Sequence, residues 1–370
     1  MPTVNISSVF RYLNPRLPEF LDEQLPGMSP KHQQLLATLE LLGIEEHIRD
    51  RPYSGVGRHP HSNISVTRAF FAKAIMQIPT AQLLEQALRS DDNLRQICGW
   101  DRPCDVPSES TFSRIFAWLA ATEELEILLN KLASLQFQGQ VVCHVAIDSS
   151  AIENREKPKK LEAKVKPEAE PHRKKRGRPR KDEQIALAPS QTRIQRQMSM
   201  SWEDAMAELP TYCSIGAKKN SKGQASHWIG RKFHALVSDE GIPICVFTTS
   251  AHVHDSQVAI PLIKKASERV TSLYDLADAA YDAKDIKDFC VQIGHVPIID
   301  QNPRRMKCSE VEPDRARRYK ARSVVERFFS QLKDNYGGRN IRVRGDQKVH
   351  TQLMIGVLCI FAHAVLHLPY

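Results

Sequence analysis

A chain of 370 residues with 41% hydrophobic and 26% charged residues holds about two domains with cores of their own, which excludes a fibrous or wholly disordered protein. Its net charge of +9 is concentrated: Arg155 to Lys181 carries 13 Lys or Arg against 4 Glu, an excess equal to that of the whole chain. So dense a basic segment calls for a polyanionic partner, nucleic acid before membrane.

The eight cysteines form no C-x-x-C pair and no clustered Cys/His spacing, and no charged-then-apolar signal segment is present. Scattered thiols of this kind point to a reducing cytosol, against a disulfide scaffold or a zinc finger. The apolar end, MIGVLCIFAHAVLHLPY, is 17 residues long with two histidines and a proline, short for a membrane span, and reads as a buried helix.

In chain order, residues 28–136 read helical. Ser29-Pro30 makes a cap and first turn, Thr80 caps AQLLEQALRS, and Ser108 caps the turn into STFSRIFAWLAA. The short helices around VPSESTFSRIFAW read either as a helix-turn-helix, with Ser110, Thr111, Ser113 and Arg114 exposed, or as an ordinary helical domain. VVCHVAID then reads as a buried strand ending at Asp148. Arg155 to Ser201, rich in Lys, Pro, Glu, Gln and Ser, reads as a linker or flexible insertion. HWIGRKFHALV and PICVFTTSA, joined by Ser238-Asp239-Glu240-Gly241, read as a hairpin. A helix over Ser256–Arg269, a strand ending near Asp278, a helix over Ala283–Ile293, the strand HVPIID, a basic loop and the helix carrying Glu326 complete a mixed α/β sheet covered by helices.

Asp148 and Asp278 at strand ends, with Glu326 on the following helix, can converge on one point. Such oxygens suit Mg²⁺ or Mn²⁺, and two ions about 3.5–4 Å apart would serve in-line attack at a phosphodiester. Singly, an Asp at a strand end reads as a turn former. Tyr319, Arg322, Glu326 and Lys333 lie at offsets 0, 3, 7 and 14, a stripe roughly 60° wide on one helix. That stripe reads either as a solvated charge ladder or as a metal-binding carboxylate beside cations that grip phosphate.

The order Tyr, two residues, Arg, three, Glu, six, Lys resembles the Tyr-Arg-Glu-Lys signature of DDE transposases of bacterial insertion sequences. IDSS at Asp148, LADAAYDA at Asp278 and the hairpin segment GRKFHALVSDEGIPICVFTTSAHVHDS resemble the catalytic domain of that family, and VPSESTFSRI its preceding helical domain. The resemblance implies an RNase H-like mixed sheet flanked by helices over 139–370, interrupted at 155–201, after an all-α DNA-binding domain over 1–138. It further implies that Asp148, Asp278 and Glu326 bind two Mg²⁺ or Mn²⁺ ions and that Tyr319, Arg322 and Lys333 contact DNA. Asp275 and Asp282 compete with Asp278 for the middle role. The expected activity is cleavage at the element's ends and strand transfer into target DNA, by a homodimer or higher multimer on double-stranded DNA in the bacterial cytoplasm, without a membrane. An inactive DNA-binding derivative and a plain nuclease of the same fold are the alternatives.

Three further features stay open. His252, His254 and Asp255 read as a metal site or as loop-ordering residues. Trp202 and Trp228 read as core or as base-stacking aromatics. Arg176-Gly177-Arg178-Pro179 resembles an AT-hook for a narrow minor groove, or serves non-specific phosphate binding.

Overall fold

The computed structural model describes residues 27–53, 55–57, 59–159, 191–219, 224–302 and 312–368. Among the described residues seven α-helices come first: α1 (Pro30–Leu42), α2 (Ile44–His47), α3 (Asn63–Ile75), α4 (Ala81–Ser90), α5 (Asp92–Cys98), α6 (Glu109–Thr122) and α7 (Glu124–Gln136). Their starts follow local chemistry. The Ser29 hydroxyl accepts from the His32 N–H, the His32 ring accepts from the Ser29 N–H, and Pro30 fills the first helical turn. Thr80 accepts from the Leu83 N–H at 3.1 Å. Ser108 stands at the N-cap of α6 but makes no capping bond, because its hydroxyl pairs with Ser110. At the start of α6, Ser110, Ser113 and Arg114 are exposed, whereas Thr111 is buried.

The sheet follows: β1 (Val141–Glu153), β2 (Ser214–Lys219), β3 (Ala225–Ser238), β4 (Pro243–Ser250), β5 (Thr271–Ala277) and β6 (Val296–Ile299). The order across it is β4-β3-β1-β5-β6, with β1, β3 and β4 antiparallel and β5 and β6 parallel to β1. β2 pairs with the first half of β3, Ala225 to Gly230, and was not expected. Its Gly216 lies opposite Trp228, where a Cβ would come within 2.3 Å of the indole ring, so this pair demands glycine. β1 also runs five residues past Asp148, because Ser149 to Glu153 pair with β3. Asp148 is therefore inside a strand and not at its end. This is the α/β RNase H-like fold, a mixed sheet preceded by helices.

Helices α8 (Arg193–Ser199), α9 (Trp202–Ala207), α10 (Ser256–Ser267), α11 (Lys284–Gln292), α12 (Pro313–Tyr319), α13 (Ser323–Asp334) and α14 (Asp346–Leu366) accompany the sheet. Successive strand side chains face opposite sides. Ser149 of β1 bonds Asp255, the residue before α10, and Ser150 bonds Lys333 of α13, so these two helices cover opposite faces. α8 falls inside the stretch expected to be a flexible insertion. Its seven residues have little apolar pattern, but Lys264 donates to the carbonyls of Gln197, Met198 and Met200 and ties it to α10. Residues 160–190, with the AT-hook-like Arg176, Gly177, Arg178 and Pro179, lie outside the described residues.

α14 packs against α1, α3, α6, α7, α13 and β4, joining the front helices to the sheet. Among the described residues it is the one helix long and apolar enough to cross a membrane, yet 72% of its most apolar stretch is buried inside the protein. Being apolar on all sides is what a helix surrounded by protein requires.

Candidate active site

The register of two neighbouring strands creates the site. β1 and β5 run parallel with Ile147 opposite Ala277, so Asp148 and Asp278 are the next residues on adjacent strands. Asp278 ends its strand for a local reason: its Oδ1 accepts from the Ala280 N–H at 2.9 Å and caps a 3₁₀ turn over Ala279–Tyr281. Asp148 accepts from the Ser149 N–H at 2.7 Å. Burial pushes the Asp148 carboxyl up to about 6; the charges of Asp278 and Asp255 add to this, while the Ser149 N–H and Arg322 oppose it. Burial also raises Asp278, with Asp255 adding and Ala280, Arg322 and Lys218 opposing.

The competing aspartates are accounted for. Asp275 is buried and pairs with His295 at 2.9 Å, and Asp282 is held by Lys287 and the Asn302 N–H.

The Tyr319–Lys333 stripe lies over these acids. A 3₁₀ turn, Lys320–Arg322, joins α12 to α13 and keeps the segment nearly continuous. Arg322 donates from Nη1 to Asp148 Oδ2 at 3.1 Å and from Nη2 to Glu326. It thereby links the strand acid to the helix acid. The guanidinium also lies 5.7 Å from the centre of the Tyr319 ring. Lys333 donates to Ser150 Oγ at 2.7 Å, two residues beyond Asp148. Burial lowers the Lys333 ammonium, with Arg339 and Lys218 adding.

Asp255 joins the acids by a route invisible in sequence. Its Oδ1 accepts from Ser149 Oγ at 2.8 Å and from Lys232 at 3.0 Å. Burial would raise it, but His234, Lys232 and the Ser149 hydroxyl outweigh that and hold it low. His252 and His254 bond the hydroxyls of Ser214 and Ser256, ordering the loop. Tyr281 is buried beside Asp255, Asp148 and Asp278, its hydroxyl without a described partner. The two serines of IDSS, one on each face of β1, were the available signal for Asp255 and Lys333. Trp202 donates to Glu268 at 2.9 Å, and Trp228 covers Gly216.

The oxygens of Asp148, Asp278 and Glu326 do not all lie within 4.8 Å of one another; among the described residues only Cys143, His144 and Asp239 form so tight a trio. There Arg318 Nη1 sits 3.3 Å from His144 Nε2, and Asp239 pairs with the Nδ1 of the same ring. Carboxylates serving two ions about 3.5–4 Å apart are necessarily more spread.

A family model described as "Transposase DDE domain" matches residues 141–362, from the first residue of β1 into α14. A second, described as a transposase domain, matches residues 19–117 in the helical front. No curated protein and no solved structure matches the chain. With its sheet order, its paired aspartates and a family match over more than half its length, the chain belongs to the DDE-type transposases of insertion sequences.

Proposed function

We propose that this transposase cuts DNA at the ends of its insertion sequence and transfers the freed 3′-hydroxyl into target DNA, with Asp148, Asp278 and Glu326 as ligands of two divalent cations. The observation that carries this reading is the register that sets Asp148 beside Asp278, both raised by burial and by neighbouring acids. Two desolvated carboxylates side by side are costly alone and suited to a hard cation. The donor set fits: Asp278 Oδ2 accepts no hydrogen bond from a described residue, and Glu326 is exposed. When bound, Mg²⁺ or Mn²⁺ would supply the charge that activates water or a 3′-hydroxyl and steadies the leaving oxygen.

The chain's own residues would do the rest. Arg322, half-buried against Tyr319, would bridge Asp148 and Glu326 until substrate arrives and then meet the phosphate as a planar fork. Lys333, aimed along β1 by Ser150, would grip the adjoining backbone. On this reading residues 1–138 recognise DNA and 139–370 perform the chemistry. Two copies or more, in the bacterial cytoplasm at the nucleoid, would bridge two double-stranded ends.

The test is a strand-transfer assay with Mg²⁺, a fragment carrying the element's ends and a supercoiled target. Joined product that Asp148→Ala abolishes is expected. Cleavage without joining would mean a nuclease, and binding without cleavage a DNA-binding derivative.

A further inference from the structure

Beyond the C-terminus of α13 the chain turns and returns as α14, and this turn, with α3, α4 and α6, encloses a cleft of about 610 Å³. Its wall carries Lys73, Lys333, Arg342, Arg344 and Lys348. Two acids, Glu109 and Asp334, share the lining, and Asp334 is already paired with Arg339. The side chains of Lys73, Arg342, Arg344 and Lys348 make no hydrogen bond or ion pair with any described residue. These four cations outnumber the unpaired acid Glu109, leaving the cleft net positive, and burial with Arg342 nearby lowers Lys73 to about 8. A bound anion would relieve both effects.

The cleft is built rather than incidental. Gln77, in the left-handed region at φ 58, donates from its amide to the carbonyls of Asp334 at 2.9 Å and Asn335 at 3.3 Å. It thus satisfies the end of α13 from the front layer and fixes the gap between them. Gln34 donates to the Tyr336 hydroxyl at 3.0 Å across the same gap. Lys333 belongs to both places, lining the cleft and bonding Ser150 near Asp148. Lys333 thus stands at the border between the cleft and the acid site. A single phosphate would leave most of this volume empty, whereas successive phosphates of one strand match a row of cations.

We propose that this cleft is a second DNA-backbone site, in which Lys73, Arg342, Arg344 and Lys348 hold the phosphodiesters of the strand that leads away from the acid site past Lys333. The inference rests on the reading of the chain as acting on DNA. It adds a role for the helical front: α3 supplies a phosphate grip to the catalytic half, independent of any sequence recognition.

Phosphate contacts carry no sequence information, so a short duplex of arbitrary sequence is a valid probe. Its affinity is measured over a range of salt for the native chain, Lys73→Gln/Arg342→Gln and, separately, Arg344→Gln/Lys348→Gln, with melting temperatures recorded. Lys131→Gln, an exposed position outside the cleft, is the control. Removing one cation from a phosphate makes the slope of log affinity against log salt shallower by about 0.9, so each double variant is expected to change it by about two. Slopes equal to those of the native chain and the control, in both folded double variants, would overturn the cleft site and leave the transposase reading intact. A native chain that binds no DNA at any salt would remove the DNA reading itself, and this inference with it.

Discussion

Arg322 donates to Asp148 at 3.1 Å from a segment 174 residues further along the chain, and its second nitrogen holds Glu326. One cation thereby neutralises part of two acids that belong to different elements, β1 and α13. The same guanidinium lowers the proton affinity of both Asp148 and Asp278.

Arg322→Gln removes that influence. Asp148 and Asp278, already raised by burial, then rise further, so the acid limb of the pH profile of cleavage moves to higher pH. A profile whose limb stays in place, with only a lower plateau, would show that Arg322 does not act on the acids.

Asp148→Asn is expected to stabilise the fold while abolishing cleavage. The folded chain keeps this proton up to about pH 6, whereas the unfolded chain releases it near the ordinary 3.8, so stability falls as pH rises through that interval. The variant avoids a penalty of about 3 kcal/mol at neutral pH, visible as a higher Tm, and the difference closes below about pH 4. Added Mg²⁺ should raise the Tm of the native chain and not that of the variant.

Glu126 gives the opposite pH dependence. It reaches from α7 to Lys265 of α10, with Arg269 at 3.8 Å and His350 of α14 at 3.4 Å, clamping the front helices to the catalytic half. Burial would raise it, but Lys265 and His350 outweigh burial and hold it well below the usual carboxylate range. Its contribution is present above the ordinary value of 4.5 and disappears as pH falls below that. Glu126→Gln should therefore lower Tm at neutral pH, and the gap from the native chain should narrow on acidification.

Arg231 is fully buried and pairs with Glu156 at 3.0 Å and with Asp346 at the start of α14. Arg231→Ala leaves both acids without their counter-ion, and a loss of about 3 kcal/mol in denaturant unfolding is expected. A loss under about 1 kcal/mol would mean that solvent already screens Glu156 and Asp346.

The helical stripe is legible in the sequence because Tyr319 to Lys333 repeats at a helical period within one segment, and Asp278 because a capping aspartate ends its strand. Asp148 is legible too, but the length of its strand is not: Ser149 and Ser150 look like turn residues, and only pairing with β3 keeps them extended. β2 and α8 are hidden for a similar reason, since one is held by β3 and the other by Lys264 rather than by their own pattern. The Asp255–Ser149 and Lys333–Ser150 bonds join residues more than a hundred positions apart, which no local spacing reveals.

The most direct test is metal-dependent cleavage of DNA carrying the element's ends, comparing the native chain with Glu326→Ala while DNA binding is measured in parallel. The account requires cleavage with Mg²⁺ or Mn²⁺ in the native chain, and loss of cleavage with binding retained in the variant. A native chain that binds the ends and cuts under neither metal, or a variant that cuts as well as the native chain, would contradict it.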